Sequence, residues 1–178
     1  MRKSTWIIAA LGPAFVAAPL LAQEPANPLT DSAKGTYEYV KTNITKAAEQ
    51  VSEANYAFKP TPEVRSFGQL IGHIADANYG ICAAASGATK PEGSVEKSKT
   101  TKADLQKALG ESFAFCDKAF DGMTDKKGVE MVPFFGGSRP RLGILSFNTA
   151  HDFEHYGNIV TYMRMKGMVP PSSQKRSN

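Results

Sequence analysis

Four stretches of this chain repeat apolar residues at alternating three- and four-residue steps, and no stretch alternates every second residue long enough to make a convincing strand. That periodicity limits the fold to helices, each burying one face against the others, and so to an all-α four-helix bundle. The first stripe is Tyr37, Val40, Ile44, Ala47 and Val51, in a helix expected to begin near Thr30 or Asp31, with Lys59-Pro60-Thr61-Pro62 ending that element. Ser66-x-x-Gln69 reads as a capping box ahead of Phe67, Leu70, Ile71, Ile74, Ala77 and Ile81, which predicts a second helix to about Ser86 with Gly87 as its stop. Thr101-x-x-Asp104 opens a third, striped with Leu105, Leu109, Ser112, Cys116 and Ala119. The last and longest runs from about Arg141 to Lys166 and closes on Gly167 and Pro170-Pro171.

The connections predict how the helices are joined. Residues 88–100 are polar and contain Pro91 and Gly93, a loop long enough to cross the bundle and leave helices two and three parallel. Residues 129–140, with Pro133, Gly136 and Gly137, show a short apolar piece without sustained period, read as an irregular loop or a short extended segment. The bundle is expected over 30–167, preceded by a linker at 23–29 and followed by a disordered tail at 168–178.

At the N-terminus Arg2 and Lys3 precede an apolar run from Trp6 to Leu21 that closes on Ala22. This reads as a secretory signal cleaved near Ala22, and Pro13 and Pro19 inside the run argue against a retained membrane anchor. The expected location is secreted or periplasmic. Without Arg2 and Lys3 the 21 basic residues become 19 against 17 acidic, a formal charge of +2. Lys97, Lys99, Lys102, Lys126 and Lys127 fall in linkers and helix starts with no aromatic interleaving, so nucleic acid is not an expected partner. In an oxidising compartment the pair Cys82 and Cys116 is expected to form a disulfide. Cys82 lies 16 residues after Ser66 and Cys116 15 after Thr101, so parallel helices would bring the two sulfurs to nearly the same height.

The chain has three histidines, His73 on the second helix and His151 and His155 on the fourth. Residues four apart differ by about 40° around a helix, so His151 and His155 share a face with Ile144, Asn148, Asn158 and Tyr162. His73, at the edge of its stripe, can turn between helices two and four to join them. Three imidazoles suit zinc or nickel, with iron or copper as alternatives, and leave coordination positions open to water or substrate. Asp76, Asp152, Glu154 and Asn158 are the neighbours available to orient ligands or handle protons. There is no His-Glu-x-x-His, no pair of Glu-x-x-His motifs and no Cys-x-x-Cys-His, so zinc-protease, di-iron and covalent haem chemistry are not indicated. Phe134 and Phe135 are read either as a lid over the site or as loop packing.

The segments Ser66-Phe67-Gly68-Gln69-Leu70-Ile71-Gly72-His73-Ile74-Ala75 and Asn148-Thr149-Ala150-His151-Asp152-Phe153-Glu154-His155-Tyr156-Gly157-Asn158 resemble the DinB-like family. The resemblance implies a four-helix bundle with a crossover connection and makes His73, His151 and His155 its metal ligands. Characterised relatives include isomerases and transferases that use intracellular thiols, and other members are assigned as metal-dependent hydrolases without being characterised. The export signal and the cysteine pair depart from the intracellular members, so the thiol chemistry is not carried over. The expectation is an exported metal-dependent hydrolase or transferase acting on a small-molecule substrate. The competing readings are a non-catalytic protein binding metal or a small ligand, and a homodimeric interaction module built on a second apolar face formed by Phe153, Tyr156, Val160 and Met163.

Overall fold

The computed structural model describes residues 26–175; the proposed signal segment, the first three residues of the proposed linker and the last three of the proposed tail lie outside them. Four long helices form the body: α1 (Pro28–Gln50), α2 (Phe67–Ser86), α4 (Lys102–Asp121) and α6 (Arg141–Met165). Short helices α3 (Val95–Ser98) and α5 (Asp125–Gly128) interrupt the connections, and a hairpin of β1 (Met131–Phe134) and β2 (Gly137–Pro140) precedes α6.

Each start signal works through a specific hydrogen bond. Ser66 Oγ accepts from Gln69 N at 3.2 Å while Ser66 N donates to Gln69 Oε1 at 2.8 Å, completing the capping box of α2. Thr101 Oγ1 accepts from Asp104 N at 3.1 Å to open α4. Gly87 ends α2 at φ +83°, a left-handed conformation in which glycine has no Cβ to clash. The start of α1 lies slightly earlier than the sequence predicts. Pro28 occupies its first turn, where a missing N–H costs nothing, and the carboxylate of Asp125 accepts from Leu29 N and Thr30 N at 3.1 and 2.8 Å.

The predicted stripes form the core. Tyr37, Val40, Ile44 and Ala47 from α1 are fully inaccessible, as are Ile71 and Ile74 from α2 and Ile144, Leu145 and Ile159 from α6, and Leu105, Leu109, Phe113 and Phe120 of α4 are almost so. α2 packs between α4 and α6, and α1 closes the ring by packing on both. Matched contacts give the directions. Gly68 meets Leu105, Asn78 meets Ser112 and Cys82 meets Cys116, so α2 and α4 run parallel. Asn78 meets Asn148 while Ala85 meets Arg141, so α6 runs antiparallel to α2. The chain therefore crosses the length of the bundle between α2 and α4, as the loop length predicts. The disulfide forms between Cys82 and Cys116 at a Cα separation of 5.3 Å.

Three expectations are sharpened or corrected. Of the two readings of residues 129–140, the extended one holds for 131–140, as a β-hairpin with Phe134 paired to Gly137 across a two-residue turn in which Phe135 and Gly136 both have positive φ. Its four-residue strands carry prolines and are too short to show a period. The C-terminal segment is not a free tail through residue 175. Ser172 N donates to Tyr156 Oη at 3.0 Å, Gln174 Nε2 donates to Gln50 Oε1 at 3.1 Å, and Pro170 is buried. Finally, part of the second apolar face of α6 is used inside the chain. Tyr156 and Met163 are buried, and Phe153 stacks on Tyr39 with ring centroids 6.2 Å apart.

Closing a loop of 34 residues' separation restricts the unfolded chain, an effect worth roughly 3–4 kcal/mol in the chain-entropy treatment. Replacing both Cys82 and Cys116 by alanine is expected to lower the unfolding free energy by about that amount, measured by guanidinium titration. Equal midpoints for the two proteins would show that the bridge is not structural.

Candidate metal centre

Helix phasing delivers the three imidazoles to one point. His151 and His155 lie one turn apart on α6, and His73 projects from antiparallel α2 at the same height. His151 Nε2 lies 3.3 Å from His73 Nε2 and 3.1 Å from His155 Nε2. One ring nitrogen from each histidine falls within 4.8 Å of the others.

This arrangement is poorly explained by hydrogen bonding alone. A neutral ring nitrogen carries either one proton or one in-plane lone pair, so His151 Nε2 cannot make good linear bonds to both neighbours. A cation placed among the three accepts every lone pair. For metal–nitrogen bonds of 2.0–2.1 Å the edge of a tetrahedron is about 3.3 Å, close to the spacings found here. The three residues fit a divalent transition metal.

Electrostatics keep the lone pairs available. Burial pushes His151 below the ordinary imidazole range, with His73 adding repulsion. His155 is pushed down to about 4, by burial first and then by His151, His73 and Arg65.

The far nitrogens face different partners. His73 Nδ1 lies 3.3 Å from Glu96 Oε2 on the crossover helix α3, and His155 Nδ1 lies 3.4 Å from the Asn158 side-chain amide. Either end of that amide can be presented to the ring, and only its oxygen suits a protonated Nδ1. The buried His151 Nδ1 has no partner among the described residues. A cavity of about 540 Å³ opens beside His155, lined by Glu63, Arg65, Glu96, Glu154, Asn158 and Tyr162 among others.

Of the four polar neighbours named from the sequence, Glu154 lines the cavity and Asn158 meets His155, but the two aspartates play other parts. Asp76 accepts from Ser94 Oγ and Val95 N at 2.6 Å and from Glu96 N at 3.1 Å, so it docks the crossover onto α2. Asp152 points into the core, wholly inaccessible, accepting from Asn148 Nδ2 at 3.2 Å, and burial raises its carboxyl well above the usual carboxylate range. Phe134 and Phe135 are no lid. Phe134 packs against Phe147, Phe135 is exposed, and neither lines the cavity. Sequence reasoning missed Glu96 and Arg65, since helical spacing says nothing about where a crossover lands. The nearest signal was Ser94, whose hydroxyl caps α3.

Known structures share this architecture. A DinB-like protein from Bacillus cereus ATCC 10987 superposes with a TM-score of 0.68 at 19% identity, covering 79% of this chain and 95% of its own. One from Bacillus subtilis superposes at 0.65 and 18% identity, covering 82% and 99%. A mycothiol-dependent maleylpyruvate isomerase superposes at 0.60 and 14% identity, with 73% of this chain covering 60% of the isomerase. At these identities the likeness establishes the fold. No curated protein matches the chain by sequence. The family model described as the DinB superfamily matches residues 36–159, a span that reaches into all four long helices and includes His73, His151 and His155, and the chain belongs to that superfamily.

Proposed function

We propose that this is an exported protein that holds a divalent transition metal, zinc or nickel first, on His73, His151 and His155, and that the site serves hydrolysis or group transfer on a small polar substrate. The observation that carries the reading is the convergence of three imidazoles, with His151 Nε2 3.3 Å from His73 Nε2 and 3.1 Å from His155 Nε2, beside an open cavity that His155 lines. Three protein ligands leave the metal accessible from the cavity, where a site closed by protein would suit storage. Bound there, a divalent ion supplies Lewis-acid polarisation of a substrate oxygen. The chain's own part is to present three imidazoles, to hold substrate against Arg65, Asn158 and Tyr162, and to offer the Glu154 side chain for proton handling.

Export is supported by the N-terminal sequence pattern and by the disulfide. Among the described residues no helix is long and apolar enough to cross a membrane. The same features separate the chain from the thiol chemistry of the mycothiol-dependent neighbour, because an exported protein leaves the intracellular thiol pool behind.

Purified protein loaded with zinc or nickel is expected to bind one ion per chain, and replacing His73, His151 and His155 together by alanine is expected to abolish that binding. Stoichiometric metal retained by the triple variant overturns the proposal.

Acid stability gives a second test. In the metal-free protein His155 has a folded pKa of about 4, below the ordinary imidazole value of about 6.5, so between those values the unfolded chain binds more protons. Its contribution to stability is therefore present above pH 6.5 and lost as pH falls towards 4. Asp152, raised by burial, works in the opposite sense, contributing at acid pH and losing that contribution as pH rises. Comparing wild type with His155→Gln isolates the imidazole. The urea midpoint of the variant is expected to fall less steeply between pH 6.5 and 4, and parallel curves would contradict the assignment.

A further inference from the structure

We infer that Glu96, carried over the site by the crossover between α2 and α4, is a positioning residue that orients His73 for metal; this rests on the metal reading above. Its Oε2 lies 3.3 Å from His73 Nδ1, and its Oε1 accepts from Arg65 Nε at 2.9 Å. A carboxylate serving Arg65 alone would face the guanidinium fork with both oxygens. Here the second oxygen is turned to the imidazole. The contact is an ion-pair distance and not yet an aligned hydrogen bond; a small rotation of the ring or carboxylate with a closure of a few tenths of an ångström gives an ordinary N–H···O bond. That bond places the proton on Nδ1, leaves the lone pair on Nε2 and makes the ring a better donor to the metal.

The backbone is shaped to bring this side chain in. A Cβ at residue 72 would lie 2.7 Å from Glu96 Cα and 2.9 Å from Glu96 N, both backbone atoms, so only glycine lets α3 sit this close to α2. One turn further along α2, the Asp76 carboxylate receives Ser94 Oγ, Val95 N and Glu96 N. Gly72 and Asp76 therefore fix the crossover on either side of His73. The side chain of Glu96 is 23% exposed and that of His73 25%, so their interaction is only partly screened by solvent. Trimming Glu96 leaves the backbone docking at Asp76 in place.

The test titrates zinc, against a chromophoric chelator, into the wild type, Glu96→Ala and Glu96→Gln. Glu96→Ala is expected to weaken zinc binding by about 10- to 100-fold, the usual effect of removing an outer partner of a ligating histidine. Glu96→Gln, which can still accept through its amide oxygen but carries no charge, should bind several-fold more weakly than wild type and more tightly than Glu96→Ala. A second readout is the Nδ1–H proton of His73 in the zinc-loaded protein. It should exchange slowly in the wild type and rapidly in Glu96→Ala, with the unfolding midpoint of the metal-free protein unchanged. Wild-type zinc affinity in both variants, with the His73 proton still protected, overturns this inference. Zinc binding that survives loss of all three histidines overturns the metal reading instead, so the two failures are distinguishable.

Discussion

The parallel pairing of α2 and α4 is the constraint on which the rest of the molecule depends. Consecutive antiparallel helices need only a short turn, but parallel ones oblige the chain to travel back along the bundle, and a 20-residue helix is about 30 Å long. The return passes across α2 at Gly72, beside His73, and there it drops Glu96 into the site. A connection that topology requires thus becomes one wall of the cavity. The Cys82–Cys116 bridge secures the same pair of helices.

The packing beneath the site is not wholly apolar. Asn148 Nδ2 donates to Asn78 Oδ1 at 2.9 Å and to Asp152, and Asn78 Nδ2 donates to Ser112 Oγ at 3.3 Å. These inaccessible groups tie α2, α4 and α6 together. Buried polar groups cost free energy unless paired, and a slide of one helix past another would unpair them. The network therefore favours one register of the helices. The position of His73 opposite His151 and His155 depends on that register. Raising Asp152 towards its neutral form lessens the cost of a carboxyl with no cation beside it.

Much of this was legible in the sequence because it depends on local periodicity. The stripes on α1, α2 and α4 proved to be the core, the Ser66 and Thr101 caps formed as read, and the loop length together with the heights of the two cysteines indicated the crossover. Helical arithmetic allowed His73 to join His151 and His155, and the resemblance to the DinB-like family implied that it does. What could not be read depends on contacts between segments distant in sequence. Asp152 and Glu154 are equally close to the histidines along the chain, yet one faces the core and the other the cavity. Glu96 lies on a four-residue helix too short to show a period, and its role depends on a glycine 24 positions earlier. The apolar residues of α6 suggested an interface because a central helix is apolar on several sides. Phe153 meets Tyr39 of α1, and Tyr156 meets Ser172 of the returning C-terminal segment.

The central claim is that His73, His151 and His155 form one metal site open to a cavity. X-ray absorption at the metal edge of the zinc- or nickel-loaded protein tests it directly. Three imidazole nitrogens are expected at about 2.0–2.1 Å, with the remaining positions filled by light atoms that exchange when a small anion is added. A shell containing sulfur, or four or more protein ligands with no exchangeable position, would contradict it.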